Sequence, residues 1–224
     1  MGHSDPAAGP VVLLTGAGGP VAAVTERLSA HGARVALAGA IAHGAAALTT
    51  PGSPVLALPC RADDPAGLGR AVDTVVDRFG RLDHLVNLVG AGPQASPLME
   101  LDPLALREVL QRDLVMPMAC VQRAYWRWMA AHGGSVVNVV ADVVRDAPRN
   151  AALAGLTELT EWLSAELAPR VDVHTVVPSP SLGPDAYRSG IAEVLCELLA
   201  RPVNRAHGPV LVLTEHVLRA PRAA

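Results

Sequence analysis

Two short stretches carry residue types that could do chemistry. The first, TGAGGPVA, runs from Thr15 to Ala22 and directly follows the apolar run VVLLT. A glycine-rich turn between a strand and a helix lets backbone N–H groups approach a phosphate at the helix start. Thr15, Gly16 and Gly18 keep the tight turn, and Pro20 is comfortable in a first helical turn. Pro20 nevertheless removes one N–H donor and adds a ring where a phosphate would pass.

The second stretch, DVVRDAPRN, holds Asp142, Arg145, Asp146, Arg149 and Asn150. A carboxyl group beside an arginine could exchange a proton with a reacting oxygen; a solvated charged loop is the alternative. Tyr187, in SPSLGPDAYR, adds a phenol as a candidate acid. All 18 basic residues other than histidine are arginine. Chemistry that needs a lysine ammonium is therefore excluded. The histidines are scattered without HxH or HExxH spacing, and no metal site is expected. Cys60, Cys120 and Cys196 show no CxxC spacing and read as small buried hydrophobes in a reducing, cytoplasmic setting.

The elements that must position these residues can be read from the apolar runs. VVLLT, RVALAG, PVLALP, HLVNLVG, SVVNVV, VDVHTVVP and PVLVLT are nearly continuous, as strands buried on both faces are. Helical patterns lie between them, at Pro20–His31, Pro65–Phe79, Pro103–Ala131, Asn150–Ala168 and Ile191–Ala200. Such alternation predicts one α/β domain: a doubly wound Rossmann fold with a seven-stranded, mostly parallel sheet and helices on both faces. The domain is expected over 11–215, after a lead-in at 1–10 and before a tail at 216–224. The segment 40–54 has room for about two helical turns. At 224 residues, one substantial core is affordable, and with 3% aromatic residues it must be aliphatic. A net charge of −3 offers no basic field for nucleic acid, and the N-terminus has neither the basic nor the apolar region of a secretory signal. No membrane span is expected.

TGAGGPVA, RFGRLDHLVNLVG and LTEWLSAELAPRVDVHTVVPS, in this order and spacing, resemble the short-chain dehydrogenase/reductase family over nearly the whole chain, including its ketoacyl-reductase-like members. The resemblance implies hydride transfer between NAD(P) and an alcohol or carbonyl, with an Asn, Ser, Tyr and Lys apparatus. The family asparagine falls on Asp113 of QRDLVMP and the serine on Ala141. Aligning LTEWLSAELA places the tyrosine and lysine on Arg149 and Leu153; aligning AALAGLT places them on Asp146 and Asn150. Neither supplies a tyrosine or a lysine. Of the cofactor contacts, Thr15, Gly16, Gly18, Asn87 and Gly90 persist as vestiges. Pro20 and Ala22 stand in place of glycines, Ala40 in place of the 2′-selector, Arg61 in place of the adenine-contacting aspartate, and Ser179 in place of a glycine near the nicotinamide amide. Leu88 and Val89 make the turn after the fourth strand bulkier on the adenosine side, and SPSLGPDAYR is a shortened lid.

These departures lead to the expectation of a non-catalytic partner or scaffold subunit, with no cofactor beyond residual NAD(P) binding. Two alternatives remain. One is a non-redox cyclase, dehydratase or isomerase using Asp113, Asp142, Asp146, Arg149 and Tyr187. The other is an atypical NAD(P)-dependent oxidoreductase. The resemblance also implies assembly with a second copy or a family relative through the fourth and fifth long helices, where Trp126, Trp128, Met129 and Trp162 lie.

Overall fold

A computed structural model describes residues 9–16, 20–39, 55–61, 63–92, 97–140, 146–179, 181–200 and 208–214. Seven strands form one sheet: β1 (Val11–Gly16), β2 (Arg34–Gly39), β3 (Val55–Pro59), β4 (His84–Val89), β5 (Gly134–Val140), β6 (Val171–Pro178) and β7 (Val210–Leu213). Their order is β3-β2-β1-β4-β5-β6-β7, and every neighbouring pair is parallel. All seven apolar runs are strands, and the doubly wound Rossmann architecture is present.

Successive side chains of a strand face opposite sides of the sheet, so each strand feeds two cores. Leu85 of β4 packs in one with Leu13, Val136 and Val173; Val86 and Leu88 pack in the other with Val12, Val137 and Val176. The first core is covered by α2 (Pro65–Phe79), α4 (Met116–Ala124) and α6 (Ala147–Leu167), the second by α1 (Val21–Ala30) and α7 (Pro184–Ala200). Most of the lining is Val, Leu and Ala, as the scarcity of aromatics requires.

The helix boundaries follow local chemistry. Pro65 opens α2, and Gly80, in the left-handed region at φ 72°, closes it. Two expected starts are late. α6 begins at Ala147 rather than Asn150, because the Asp146 side chain caps it by accepting from Arg149 N at 2.9 Å and Pro148 fits the first turn. α7 begins at Pro184 rather than Ile191, so most of the expected lid SPSLGPDAYR is helix or its lead-in. The segment 40–54 lies outside the described residues.

The long helical pattern starting at Pro103 runs as α3 (Pro103–Leu110), a π turn (Gln111–Val115), α4, a second π turn (Tyr125–Met129) and α5 (Ala130–His132). Pro117, in the first turn of α4, has no N–H to give to the carbonyl of residue 113, and the first π turn lies at that point. The widened turn carries Asp113 into the interior, where it is 4% exposed.

Candidate functional site

After β1 the chain builds outward through β2 to β3, and after β4 outward in the other direction to β5, so the sheet order reverses between β1 and β4. Ligands of open α/β sheets bind beyond the carboxyl ends of the strands at such a point. A crevice is present there, lined by Thr15 and Gly16 from β1, Asn87, Leu88 and Val89 from β4, Leu68 from α2, Arg112 from the first π turn, and Met116, Pro117 and Cys120 from α4. Gly16, at φ +130°, is required by the sheet itself: a Cβ there would stand 2.2 Å from the Leu88 carbonyl oxygen. Pro20, at the N-cap of α1, makes no side-chain capping bond, so it satisfies none of the first-turn N–H groups.

Below the crevice a buried polar row crosses four strands in register. Thr15 lies opposite Asn87, Asn87 opposite Asn138, and Asn138 opposite Thr175. Thr15 Oγ1 donates to Asn87 Oδ1 at 2.6 Å, and Asn87 Nδ2 donates to Asn138 Oδ1 at 2.9 Å. Asn138 Nδ2 in turn reaches Thr160 Oγ1 at 3.3 Å and Thr175 Oγ1 at 3.4 Å, and the two threonine hydroxyls are 2.7 Å apart. Thr160 donates to the Leu156 carbonyl at 2.7 Å and ties the row to α6. The side chains of Thr15 and Asn87 thus spend their hydrogen bonds holding the strand ends in register. The sequence named these two residues for a cofactor and missed Asn138, Thr160 and Thr175; Asn138 and Thr175, polar residues inside otherwise apolar runs, were the signal.

Beyond the ends of β4 and β5 an ionic cluster closes over the turn after β4. Asp113 Oδ1 accepts from Gly90 N at 3.1 Å, and Arg112 grips the same carboxylate through Nε at 3.0 Å and Nη2 at 2.7 Å. Such a forked pair is the stronger form of ion pair. The Asp113 carboxylate holds the Arg112 guanidinium firmly protonated. Arg149 lies on α6, with its guanidinium 3.5 Å from the Asp146 carboxylate, and Nη2 donates to the Gly92 carbonyl. Asp146 and Arg149 are each 6% exposed in their side chains. The structure places Asp113, Asp146 and Arg149 beyond the ends of β4 and β5, with Arg112 and Gly90 beside Asp113. Asp142, Arg145 and Gly18 fall outside the described residues.

Other candidates lie elsewhere. Tyr187 is buried at 1% exposure in the α1/α7 core, its hydroxyl donating to the Val140 carbonyl at the end of β5. It is a core residue of α7, since the loop that was to carry it over the cleft is helical. Leu88 packs inward with Val12 and Val86, and Val89 with Val140 and Leu156. Both residues also line the crevice. Arg61 turns its exposed guanidinium to Asp63, with contacts of 3.0 and 2.7 Å. Asp64 stands at the N-cap of α2 without a side-chain capping bond and pairs with Arg70 at 3.6 Å. The three cysteines are free thiols. Burial pushes Cys120 up to about 12, against a smaller lowering from the Thr15 hydroxyl. It is not a nucleophile at neutral pH. Among the described residues no group of histidines, cysteines and carboxylates could hold a metal, and no helix is long and apolar enough to cross a membrane.

The family model described as enoyl-(acyl carrier protein) reductase matches residues 19–201. A cis-4-hydroxycyclohexanecarboxylate dehydrogenase of Sinomonas cyclohexanicum is 30% identical over 89% of this chain and 84% of its own. A peroxisomal 2,4-dienoyl-CoA reductase of Danio rerio is 30% identical over 80% of this chain and 63% of its own. Among solved structures, a short-chain dehydrogenase/reductase from Serratia marcescens superposes with a TM-score of 0.77, at 28% identity, over 93% of this chain and 97% of its own. The relatives are named as dehydrogenases and reductases. That overturns the expectation of a non-catalytic scaffold, and with it the non-redox alternative: the similarity points to an oxidoreductase.

Proposed function

Because the chain belongs to the short-chain dehydrogenase/reductase family, we propose that it is an oxidoreductase moving a hydride between a nicotinamide dinucleotide and an alcohol or carbonyl carbon. The dinucleotide fits the residues present. The crevice lies at the reversal of strand order, and Pro20, at the N-cap of α1, makes no side-chain capping bond there. Thr15 and Gly16 would flank the pyrophosphate side, with Asn87 and Gly90 behind the ribose. When bound, NAD(P) supplies the hydride acceptor or donor.

The observation that carries this reading is the ionic cluster of Arg112, Asp113, Asp146 and Arg149 beyond the ends of β4 and β5, whose Arg112 lines the crevice. Family members use a tyrosine and a lysine for the proton and the charge; this chain has no lysine, and Arg149 or Asp146 aligns with the tyrosine. A guanidinium does not give up its proton near neutral pH, but it can stabilise negative charge growing on an oxygen. In this reading Arg149 stabilises the substrate oxygen and Asp146, beside it, exchanges the proton with that oxygen through water. Asp113, locked to Arg112 and to Gly90 N, is a positioning residue that fixes the turn after β4.

Titrating the purified protein with NADH and NADPH, followed by intrinsic fluorescence, is expected to give saturable binding. Supplying NAD(P)+ with an alicyclic secondary alcohol is then expected to give reduced nicotinamide absorbance, lost in Arg149→Gln. Absence of both binding and turnover would reject the reading.

Assembly is a second part of the proposal. Trp126 on the second π turn is 77% exposed, and Trp162 on α6 is 68% exposed. Large aromatic groups in water are characteristic of interface cores. We place a second copy of this chain across α4 and α6.

A further inference from the structure

We infer that the chain carries an acid-sensitive switch: the face of the sheet that α1 and α7 cover closes most firmly while His84 and His174 are uncharged. His84 opens β4 and lies opposite Val12 on one side and Ser135 on the other; Ser135 lies opposite Asp172, and His174 opposite Val137. Alternation along the strands puts His84, Ser135, Asp172 and His174 on the face that carries Val86, Val137 and Val176 into the α1/α7 core. The two histidines therefore stand beside an apolar core, toward the amino ends of the strands and away from the crevice.

Neither ring is provided for as a cation. His174 is 6% exposed, and its Nδ1 is buried without a hydrogen-bond partner among the described residues. A neutral ring leaves only a lone pair there, whereas a charged ring would bury an unsatisfied N–H. Asp172 and a backbone hydrogen bond to Gly208 favour the charged ring, yet burial outweighs them and pushes His174 below the ordinary histidine value of 6.5. His84 Nδ1 meets Ser135 Oγ at 2.8 Å, and Ser135 is itself buried. The neighbouring Asp83 carboxylate is already occupied: it accepts from Arg81 Nε at 2.8 Å, from Arg81 Nη2 at 2.6 Å and from Val11 N at 2.8 Å. Burial pushes His84 down; Asp83 opposes this and the Arg81 guanidinium adds to it. Of the charged side chains described on α1 and α7, Glu26, Arg27, Asp185 and Glu197 are exposed, and Glu193 pairs with Arg27 at 3.3 Å.

The unfolded chain takes up protons on these rings near pH 6.5, while the folded chain does so only at lower pH. Their contribution to stability is therefore complete above about pH 7.5 and is lost as the pH falls through the folded values, each ring raising the unfolding constant by up to about tenfold per pH unit. Urea unfolding of the full chain tests this from about pH 8 to about pH 5.5, where ordinary carboxylates stay ionised. The unfolding constant is expected to rise at least about tenfold over that range. His84→Asn, which keeps an amide near the Nδ1 position, combined with His174→Gln, is expected to remove most of that rise in a protein shown by circular dichroism to be folded at about pH 8. If that variant does not fold, proton NMR of the unaltered chain decides: two of the 8 histidine rings are expected to titrate below about pH 6. A flat profile, a folded double variant that keeps the full rise, or all rings titrating near their ordinary value would overturn the inference. Unfolding is read without cofactor or substrate, so the outcome is independent of the oxidoreductase reading.

Discussion

Asp113 shows how much depends on one side chain at the mouth of the crevice. It satisfies Gly90 N and neutralises Arg112, whose side chain is 24% exposed. Truncating it to alanine leaves a partly buried guanidinium and a backbone donor without their acceptor. Breaking a buried pair costs about 3–5 kcal/mol, and partial exposure of the arginine reduces this to roughly 2–4 kcal/mol. Asp113→Asn keeps an acceptor for Gly90 N and is expected to cost about 1–2 kcal/mol. Urea unfolding at constant m-value measures both. Both variants are also expected to lower turnover, by loosening the turn after β4. A loss below about 0.5 kcal/mol in the alanine variant would show that Arg112 finds water instead. Asp113 was legible in the sequence through its alignment with a family asparagine. Arg112, its immediate neighbour, was not, because residues adjacent in an ordinary helix point in different directions; the widened π turn lets both face the turn after β4.

At the scale of elements, the polar row from Thr15 to Thr175 ties β1, β4, β5, β6 and α6 at one level of the sheet. Asn138 is its centre, since its amide both accepts and donates. Asn138→Leu would leave the Asn87 amide buried without its acceptor, and the expected loss is about 2–3 kcal/mol, more than a surface change and comparable with a core cavity. Unfolding midpoints decide this, and an unchanged midpoint would mean that the row relaxes at no cost. The existence of the strands could be read from β-branched apolar runs, because burial on both faces leaves little room for polar residues. Helix starts were harder. Asp146 and Pro148, and Gly183 and Pro184, are the signals that open α6 and α7. They stand among charged residues, prolines and glycines whose composition reads equally well as a loop.

For the whole molecule, composition set the character of the core and the exposed tryptophans set the question of assembly. Of the aromatic and methionine group on the long helices, Met129 is fully buried, Trp128 stacks on His132 at 3.7 Å, and Trp126 and Trp162 face outward. The group therefore divides between core and surface, which the sequence had treated as one. If a second copy covers α4 and α6, light scattering behind a sizing column should report at least a dimer for the unaltered chain. Trp162→Glu should shift it toward the monomer without changing its melting behaviour as a monomer. A monomeric unaltered chain would reject the arrangement.

The sequence alone determined the class of fold, the seven strands and their two-sided burial, the absence of any lysine-dependent relay, and the family. These follow from residue type and spacing, which local sterics and the hydrophobic effect convert directly into elements. Tertiary structure decided what the retained and altered residues do. It turned Thr15 and Asn87 into members of a strand-locking row, set Leu88 and Val89 among core residues at the edge of the crevice, buried Tyr187 on α7 against the end of β5, and brought Arg112 and Arg149 near Gly92. Each depends on distances between segments far apart in the chain. Spacing along a sequence does not encode such distances until the sheet register and the π turn have fixed them.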